Sequence, residues 1–253
     1  MEQEADRYAV RLFGASVVMD TMQRIISKHQ HSDGLIGLWP QNQMLGTVSY
    51  DFGPNQGHGT HEGATNRYRM SRSKGHYMNA TGYDPKAQAG AYTNILTPAL
   101  IANFDGDAGA VFAFRKLDAS WAEGINRYVW SLEDADGNTQ FMRKDTVDGK
   151  LYYRHDFGGT SLSMDIADND TTDWFCMAMM WDRLVNAECR IYLDGVYATR
   201  GINPGATGGA DLVTAVIGAE TTEPVGGWDG GIGIVALYNQ IKTDDEMLKL
   251  STP

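Results

Sequence analysis

The chain has 253 residues, which is enough for one large or two small domains with a substantial core. Its 21 Lys and Arg residues against 32 Asp and Glu residues give a net charge of −11, which disfavours nonspecific binding to nucleic acid or anionic lipid. The acidic opening MEQEADRYAV is unlike a secretory signal. No run of about 18 apolar residues predicts a membrane-spanning segment.

Residues 1–31 are predicted to form a helical arm. Apolar residues recur there at alternating spacings of three and four, as on one face of an α-helix: Ala5, Tyr8, Leu12, Ala15, Met19, Met22 and Ile26. Leu12, Met19 and Ile26 lie one heptad apart with Met22 on the same stripe, a pattern that joins helices around a symmetry axis. We therefore expect a homo-oligomer, with a trimer as one option, and assign these four residues to its interface.

Residues 32–253 are predicted to form one all-β domain. Asp-Gly pairs, which favour tight turns, occur at Asp33, Asp105, Asp136, Asp148, Asp194 and Asp229. Between them lie strand-like runs: AVFAFRKL, NRYVWSLED, TQFMRKD, KLYYRHDF, DWFCMAMMW, CRIYLDG, YATRG and LVTAVIGA. Their regular spacing suits an antiparallel sandwich or jelly roll. A short helix is expected at Thr93 to Ala102, with Pro98 at a break or in the first turn.

The two cysteines, Cys176 and Cys189, lie in strand-like runs that form a hairpin around Arg183 to Ala187. If Trp181 faces Glu188, the two sulfurs lie about four residues apart along the ladder, too far for a disulfide. We expect two free, structural thiols. Without neighbouring histidines they also make no zinc site.

The closing strand, Ile232 to Tyr238, carries no charge. Strand alternation would place Ile232, Ile234, Ala236 and Tyr238 on one face, and Val235 and Leu237 on the other. One face packs on the opposite sheet, and the other needs a cover because an exposed apolar patch of this size marks an interface. The N-terminal helix is the expected cover. Its remaining apolar side is left for a neighbouring subunit, so Ile234 joins the predicted interface.

Four landmarks follow in order between residues 34 and 247: GLIGLWPQNQMLGTVSYDFGPNQGHGT, DTTDWFCMAMMWD, ECRIYLDGVYATR and GGWDGGIGIVALYNQIKTDDEM. The series resembles laminin-G-like jelly-roll domains of the concanavalin A-like lectin and glucanase superfamily. The resemblance implies an all-β, two-sheet antiparallel jelly-roll sandwich, preceded here by an α-helix and closed by a strand and a short acidic helix.

A narrower resemblance concerns NILTPALIANFDGDAGAVFAF and the helix that leads into GLIGLWP. Both are similar to versions of this domain in tailed-phage structural proteins. The resemblance implies a non-enzymatic virion protein, a head decoration or a tail-attached subunit, with capsid or tail proteins as partners. Such a protein is assembled in the host cytoplasm and located in the virion. The alternative function is a carbohydrate-binding module that recognises a surface glycan.

Catalytic and metal-ligating patterns are incomplete. Enzymes of this fold that cleave glucans carry Glu-x-Asp-x-x-Glu on one strand, whereas Glu133-Asp134-Ala135-Asp136 stands at a predicted hairpin turn with a different spacing. His58-Gly59-Thr60-His61-Glu62 lacks the helix that orients zinc ligands in metalloproteases, and its glycines favour a flexible surface loop. The sequence therefore predicts no catalytic residue and no metal ligand in these two segments.

Binding residues are predicted among the tryptophans. Trp121 and Trp228 lie in or beside loops where a sandwich lectin binds, so we assign them to carbohydrate contact. Four others stand in strand-like runs and are assigned to packing: Trp39, Trp130, Trp174 and Trp181. No cofactor is expected. Calcium stays open, with solvated turn carboxylates as the alternative, at Asp134, Asp136 and Asn138 or at Asp168, Asp170 and Asp173.

Overall fold

The structure, a computed structural model, describes residues 23–41, 47–62, 92–117, 126–145, 151–155, 162–166, 175–202, 212–220, 227–228 and 230–252. Three helices lie in these ranges: α1 at residues 23–30, α2 at Pro98–Asn103 and α3 at Asp244–Ser251. The described strands are β1 Leu35–Pro40, β2 Val48–Ser49, β3 Gly59–Glu62, β4 Tyr92–Asn94, β5 Ala108–Leu117, β6 Arg127–Asp134, β7 Thr139–Lys144, β8 Leu151–His155, β9 Leu162–Ile166, β10 Phe175–Asp182, β11 Glu188–Leu193, β12 Val196–Ile202, β13 Leu212–Ile217 and β14 Gly230–Tyr238. None of the described helices has the length and apolarity needed to cross a bilayer.

The strands form two antiparallel sheets. Sheet A has six strands in the order β1-β14-β5-β10-β11-β12, and sheet B has eight in the order β2-β3-β4-β13-β6-β7-β8-β9. This confirms the predicted two-sheet antiparallel sandwich. All eight predicted strand-like runs contain a strand. The predicted helix is shorter than expected: Thr93 belongs to β4, and Pro98 takes the first helical turn, where its missing N–H costs nothing.

The core between the sheets is built around large aromatic side chains. Trp39, Trp130 and Trp181 are at most 2% exposed, as predicted, whereas Trp174 lies outside the described residues. Two glycines make room for the indoles. A Cβ on Gly37 would lie 2.0 Å from the Trp39 ring, and one on Gly109 would lie 2.2 Å from the Trp181 ring. These close approaches explain why glycine interrupts both apolar runs.

Sheet A also has a buried outer face, which we call the outer cluster. It joins residues of β1, β5, β10, β11, β14, α1 and α3: Ile25, Leu35, Leu38, Ala110, Phe112, Phe114, Cys176, Ala178, Met180, Tyr192, Ile234, Ala236, Tyr238, Met247 and Leu250. Helix α1 therefore covers the closing strand, as predicted. It shares that task with α3, which begins with a capping box between Thr243 and Glu246.

The alternation along β14 differs from the prediction at one residue. Ile232 lies in the core between the sheets with Val235 and Leu237, whereas Ile234 lies in the outer cluster. The pairing of β14 with β5 shifts register between Ile232 and Val235. A bulge adds a residue to one strand, so the side chains before it change face.

The cysteines are unpaired, as predicted, but the predicted register was wrong by one residue. Trp181 pairs with Cys189 rather than Glu188, and Leu193 pairs with Met177. Cys176 faces the outer cluster and Cys189 the core between the sheets, so sheet A separates the sulfurs.

Both thiols are expected to be unreactive in the folded protein. Burial raises the pKa of each to about 12, so almost no thiolate forms at neutral pH. A thiol-reactive chromogenic reagent should label neither in the native protein and both in denaturant without reductant. A count of zero in denaturant would show a disulfide and contradict the structure.

The loop after β1 is organised by a buried carboxylate. Asp51 is 4% exposed and accepts hydrogen bonds from three backbone N–H groups: Leu38 at 2.7 Å, Gly53 at 2.7 Å and Gly57 at 2.8 Å. The side chain of Asn55 donates to the backbone of β1 at 3.1 Å. Three charge-assisted bonds satisfy the buried anion, so the Asp and the glycine-asparagine stretch of the first landmark have a structural role.

Candidate functional site

A cleft of about 360 Å³ opens on the outer face of sheet B, and we call it the sheet-B cleft. Its described lining residues come from β6, β7, β8 and the adjacent turns: Ser131, Glu133, Gly137, Thr139, Phe141, Arg143, Arg154 and Glu220. Strand alternation explains this set. On β7, Met142 points into the core, whereas Phe141 and Arg143 point into the cleft. The volume is typical of a small-molecule site.

Arg143 is fixed at the centre of this set. Its Nη1 donates to the Tyr128 hydroxyl at 2.9 Å, and its Nη2 donates to Asp145 Oδ2 at 2.9 Å. Its Cζ lies 4.9 Å from the ring centroid of Tyr152, 5.2 Å from that of Phe141 and 5.6 Å from that of Tyr128. Cation–π contacts and hydrogen bonds thus hold the guanidinium plane in place.

Tyr128 links Arg143 to a carboxylate. Its hydroxyl donates to Glu220 Oε1 at 2.7 Å while it accepts from Arg143. Burial, together with the bond to Glu220, raises the pKa of Tyr128 to about 12 against the opposing effect of Arg143. The hydroxyl stays protonated at neutral pH. Arg143 therefore donates to Tyr128, and Tyr128 donates to Glu220.

The aromatic rings near the cleft are engaged with one another. Phe141 is 5% exposed, stacks on Tyr152 with centroids 6.3 Å apart, and meets Tyr128 edge-to-face at 5.2 Å. Arg143 covers all three rings. The described part of the cleft therefore presents guanidinium, carboxylate and hydroxyl groups rather than an open aromatic face. Such a surface can bind a polar ligand through hydrogen bonds.

Solved structures of sugar-binding β-sandwich domains have a fold similar to that of this chain. Domain 4 of AbnA, a GH43 extracellular arabinanase from Geobacillus stearothermophilus, in complex with arabinotriose, is 17% identical with a TM-score of 0.60. The alignment covers 86% of this chain and 98% of that one. The Ruminococcus gnavus IT-sialidase CBM40 bound to α2,6-sialyllactose is 13% identical with a TM-score of 0.50, covering 68% and 93% of the two chains.

A third structure is the binding domain of botulinum neurotoxin serotype D, which is 11% identical with a TM-score of 0.59. The alignment covers 86% of this chain and about half of that one, 51%. No protein-family model matches the sequence, and no curated protein matches it either. The structural likeness shows a fold shared with carbohydrate-binding β-sandwich domains.

The structure contradicts the assignment of Trp228 to sugar contact. Trp228 is fully buried in the core between the sheets, its backbone N–H donates to the Gly218 carbonyl at 2.9 Å, and its ring lies 5.0 Å from Arg115 Cζ. Trp228 is therefore a packing residue of the core, with Arg115 beside its ring. Trp121, the other predicted sugar contact, lies outside the described residues.

In the first candidate calcium set, Asp134 accepts hydrogen bonds that stabilise the β6–β7 turn. Asp134 Oδ1 accepts from the backbone N–H groups of Asp136 at 3.0 Å and Asn138 at 2.9 Å, and Oδ2 accepts from the Asn138 side chain at 2.9 Å. Within the described ranges, no group of three His, Cys, Asp or Glu side chains could hold a metal ion. The second set, at 168–173, lies outside the described residues.

The segment from His58 to Glu62 is not the flexible loop that was expected. Gly59–Glu62 forms β3, which pairs with β2 and β4. His61 Nδ1 lies 2.9 Å from Thr93 Oγ1, and burial lowers the pKa of His61. His58 Nδ1 accepts from the Asp51 N–H at 3.1 Å. Both imidazoles thus contribute to the structure of sheet B and the adjacent loop.

The predicted subunit interface is described only in part. Ile26 is half-buried and packs against the outer cluster. Ile234 is fully buried in the outer cluster, so its own chain covers it and the assignment to a subunit interface does not hold for this residue. Leu12, Met19 and Met22 lie outside the described residues. The homo-oligomer and the division at residue 31 remain predictions.

Sequence patterns did not identify the sheet-B cleft, although one signal was present. In TQFMRKD, alternation places Phe141 and Arg143 on the face opposite Met142. Arginine and an aromatic residue together on the outer face of a strand are candidates for a binding surface. The partners Tyr128 and Glu220 come from other strands and turns, and only the folded chain brings them to Arg143.

Proposed function

We propose that this chain is a carbohydrate-binding module and that the sheet-B cleft holds the saccharide. The observation that carries the proposal is the fixed position of Arg143, held by two hydrogen bonds and three aromatic rings at the wall of the cleft. A donor that is immobilised before the ligand arrives loses little side-chain entropy on binding. Its hydrogen bonds to hydroxyl groups are charge-assisted and hence stronger than neutral ones.

The fold supports the same proposal. The arabinanase domain, whose alignment covers 86% of this chain at 17% identity, was solved with arabinotriose. That likeness concerns the fold, and the cleft residues of this chain carry the assignment of the site.

Substituting Arg143→Lys is expected to weaken saccharide binding about tenfold or more, because lysine lacks the planar donor pair and does not stack on three rings. A glycan array would identify a ligand, and isothermal titration would compare the variants. Arg200→Lys is the matched control, since Arg200 lies on β12 with its side chain 61% exposed. The proposal fails if the array shows no bound glycan, or if Arg143→Lys binds as tightly as the parent.

Binding without catalysis is part of this proposal. The same titration samples should return the saccharide intact after prolonged incubation, because the sequence lacks the Glu-x-Asp-x-x-Glu strand of the glucan-cleaving enzymes of this fold. Recovery of shorter products would contradict this expectation. The virion role rests on the sequence resemblance alone and stays a prediction. None of the three structures described above is a phage structural protein.

A further inference from the structure

We propose that the ligand of the sheet-B cleft is an uncharged saccharide, an inference that rests on the carbohydrate-binding function proposed above. The charged residues that line the cleft are balanced: Arg143 and Arg154 face Glu133 and Glu220. Asp145 adds a further carboxylate at 2.9 Å from Arg143. The described part of the site therefore has no excess of positive charge to offer an acidic sugar.

The arginine at the centre is already neutralised. Arg143 forms an ion pair with Asp145, and its other bonded nitrogen donates to Tyr128, whose proton is held by Glu220. A sugar carboxylate placed on Arg143 would approach two fixed anions in a partly desolvated site, where like charges repel more strongly than in water. The net charge of −11 on the whole chain adds a long-range repulsion of acidic ligands.

The same groups suit neutral hydroxyls. A sugar hydroxyl both donates and accepts, so adjacent hydroxyls can accept from a guanidinium and donate to a carboxylate. The cleft supplies guanidinium groups from Arg143 and Arg154 and carboxylates from Glu133 and Glu220. Because Phe141 is 5% exposed and Arg143 covers the nearby rings, hydrogen bonds rather than ring stacking select the ligand in the described part of the cleft.

Glu220→Gln provides a direct test because it keeps the size of the side chain and removes its charge. Neutral saccharides should bind more weakly, since a charge-assisted acceptor becomes a neutral one, and acidic saccharides should bind better. The ratio of neutral to acidic affinity is expected to fall about tenfold. A purely structural loss would weaken both classes together. Glu133→Gln repeats the test at the other lining glutamate, and Asp245→Asn on the exposed surface of α3 is the control.

The decisive experiment is a glycan array that contains each sialylated glycan beside its desialylated parent. It is followed by titration of arabinotriose, lactose and α2,6-sialyllactose at low and high salt. We expect the bound glycans to be neutral, sialylation to reduce their binding, and their affinity to change little with salt. Equal or preferential binding of the sialylated members would overturn the inference while leaving carbohydrate binding intact. An array with no bound glycan would overturn the proposed function itself.

Discussion

Deleting residues 1–30 is expected to destabilise the sandwich by about 4 kcal/mol or more, although the deleted stretch contains none of the described strands. Ile25 is fully buried in the outer cluster, and burial of one such side chain contributes about 1.5 to 3 kcal/mol. The deletion would also remove His29 from its contact with Tyr238 and expose Tyr238 to water. With a total stability of typically about 5 to 15 kcal/mol, the truncated chain is expected to be marginally folded and prone to aggregate.

Polar contacts of α1 add to this loss. Lys28 Nζ donates to the Thr252 carbonyl at 2.9 Å, Gln30 Nε2 donates to the Phe52 carbonyl at 3.0 Å, and His29 Nδ1 lies 2.7 Å from the Tyr238 hydroxyl. These bonds join the helix to the C-terminus, to the loop after β1 and to β14. The described part of the arm, residues 23–30, is therefore hydrogen-bonded to the sandwich at three places.

Urea unfolding followed by tryptophan fluorescence measures the effect. Ile25→Ala should cost about 2 to 5 kcal/mol by itself, whereas Gln23→Ala, on the exposed side of the same helix, should change stability by less than about 0.5 kcal/mol. Sedimentation of the same proteins reports the oligomeric state. A truncated chain that unfolds at the parent midpoint but no longer oligomerises would show instead that the helix serves a partner.

The fold could be predicted because its signals are local. Tight-turn pairs separate short aromatic and branched runs, and the runs correspond to strands β5 to β8 and β10 to β13. Because β14 carries no charge, the sequence predicted that its outer face needs a cover, and the N-terminal helix was the expected cover. The sequence also contains a signal for α3: Thr243 and Glu246 have the spacing of a capping box, and the apolar Met247 and Leu250 follow.

Details that depend on pairing could not be read from the chain. The bulge in β14 arises from its pairing with β5, and it moved Ile232 to the other face. Alternation within one strand does not contain that information. Burial of Trp228 has the same origin. The local sequence places it beside Asp-Gly and Gly-Gly pairs, which indicates a loop, whereas its neighbour Arg115 comes from the distant strand β5.

Acidification from about pH 7 to about pH 5 is expected to remove roughly 4 kcal/mol of stability through two buried histidines. Burial lowers the pKa of His29 to about 3, outweighing the contact with the Leu250 backbone, and the charges of Lys242 and Lys28 lower it further. Burial, with Arg183 nearby, lowers the pKa of His155 to about 3. Both side chains therefore stay neutral in the folded protein throughout this range.

The protonation of the unfolded state sets the sign of this change in stability with pH. There each histidine has its ordinary pKa of 6.5, so the unfolded chain binds protons below that pH and the folded chain does not until about pH 3. The stability contribution is present above the unfolded pKa and is lost as the pH falls below it. Each histidine accounts for roughly 2 kcal/mol over this range, in which carboxylates remain largely ionised.

Substitution separates the histidines from other titrating groups. His29→Gln retains a side chain that can hydrogen-bond to Tyr238 and removes the titration, so its stability should fall by roughly 2 kcal/mol less than that of the parent between the two pH values. His31→Gln is the control, because His31 is exposed on the last turn after α1. Urea midpoints at several pH values give the slopes directly. Equal slopes for the parent and His29→Gln would mean that His29 is charged, or open to water, in the folded protein.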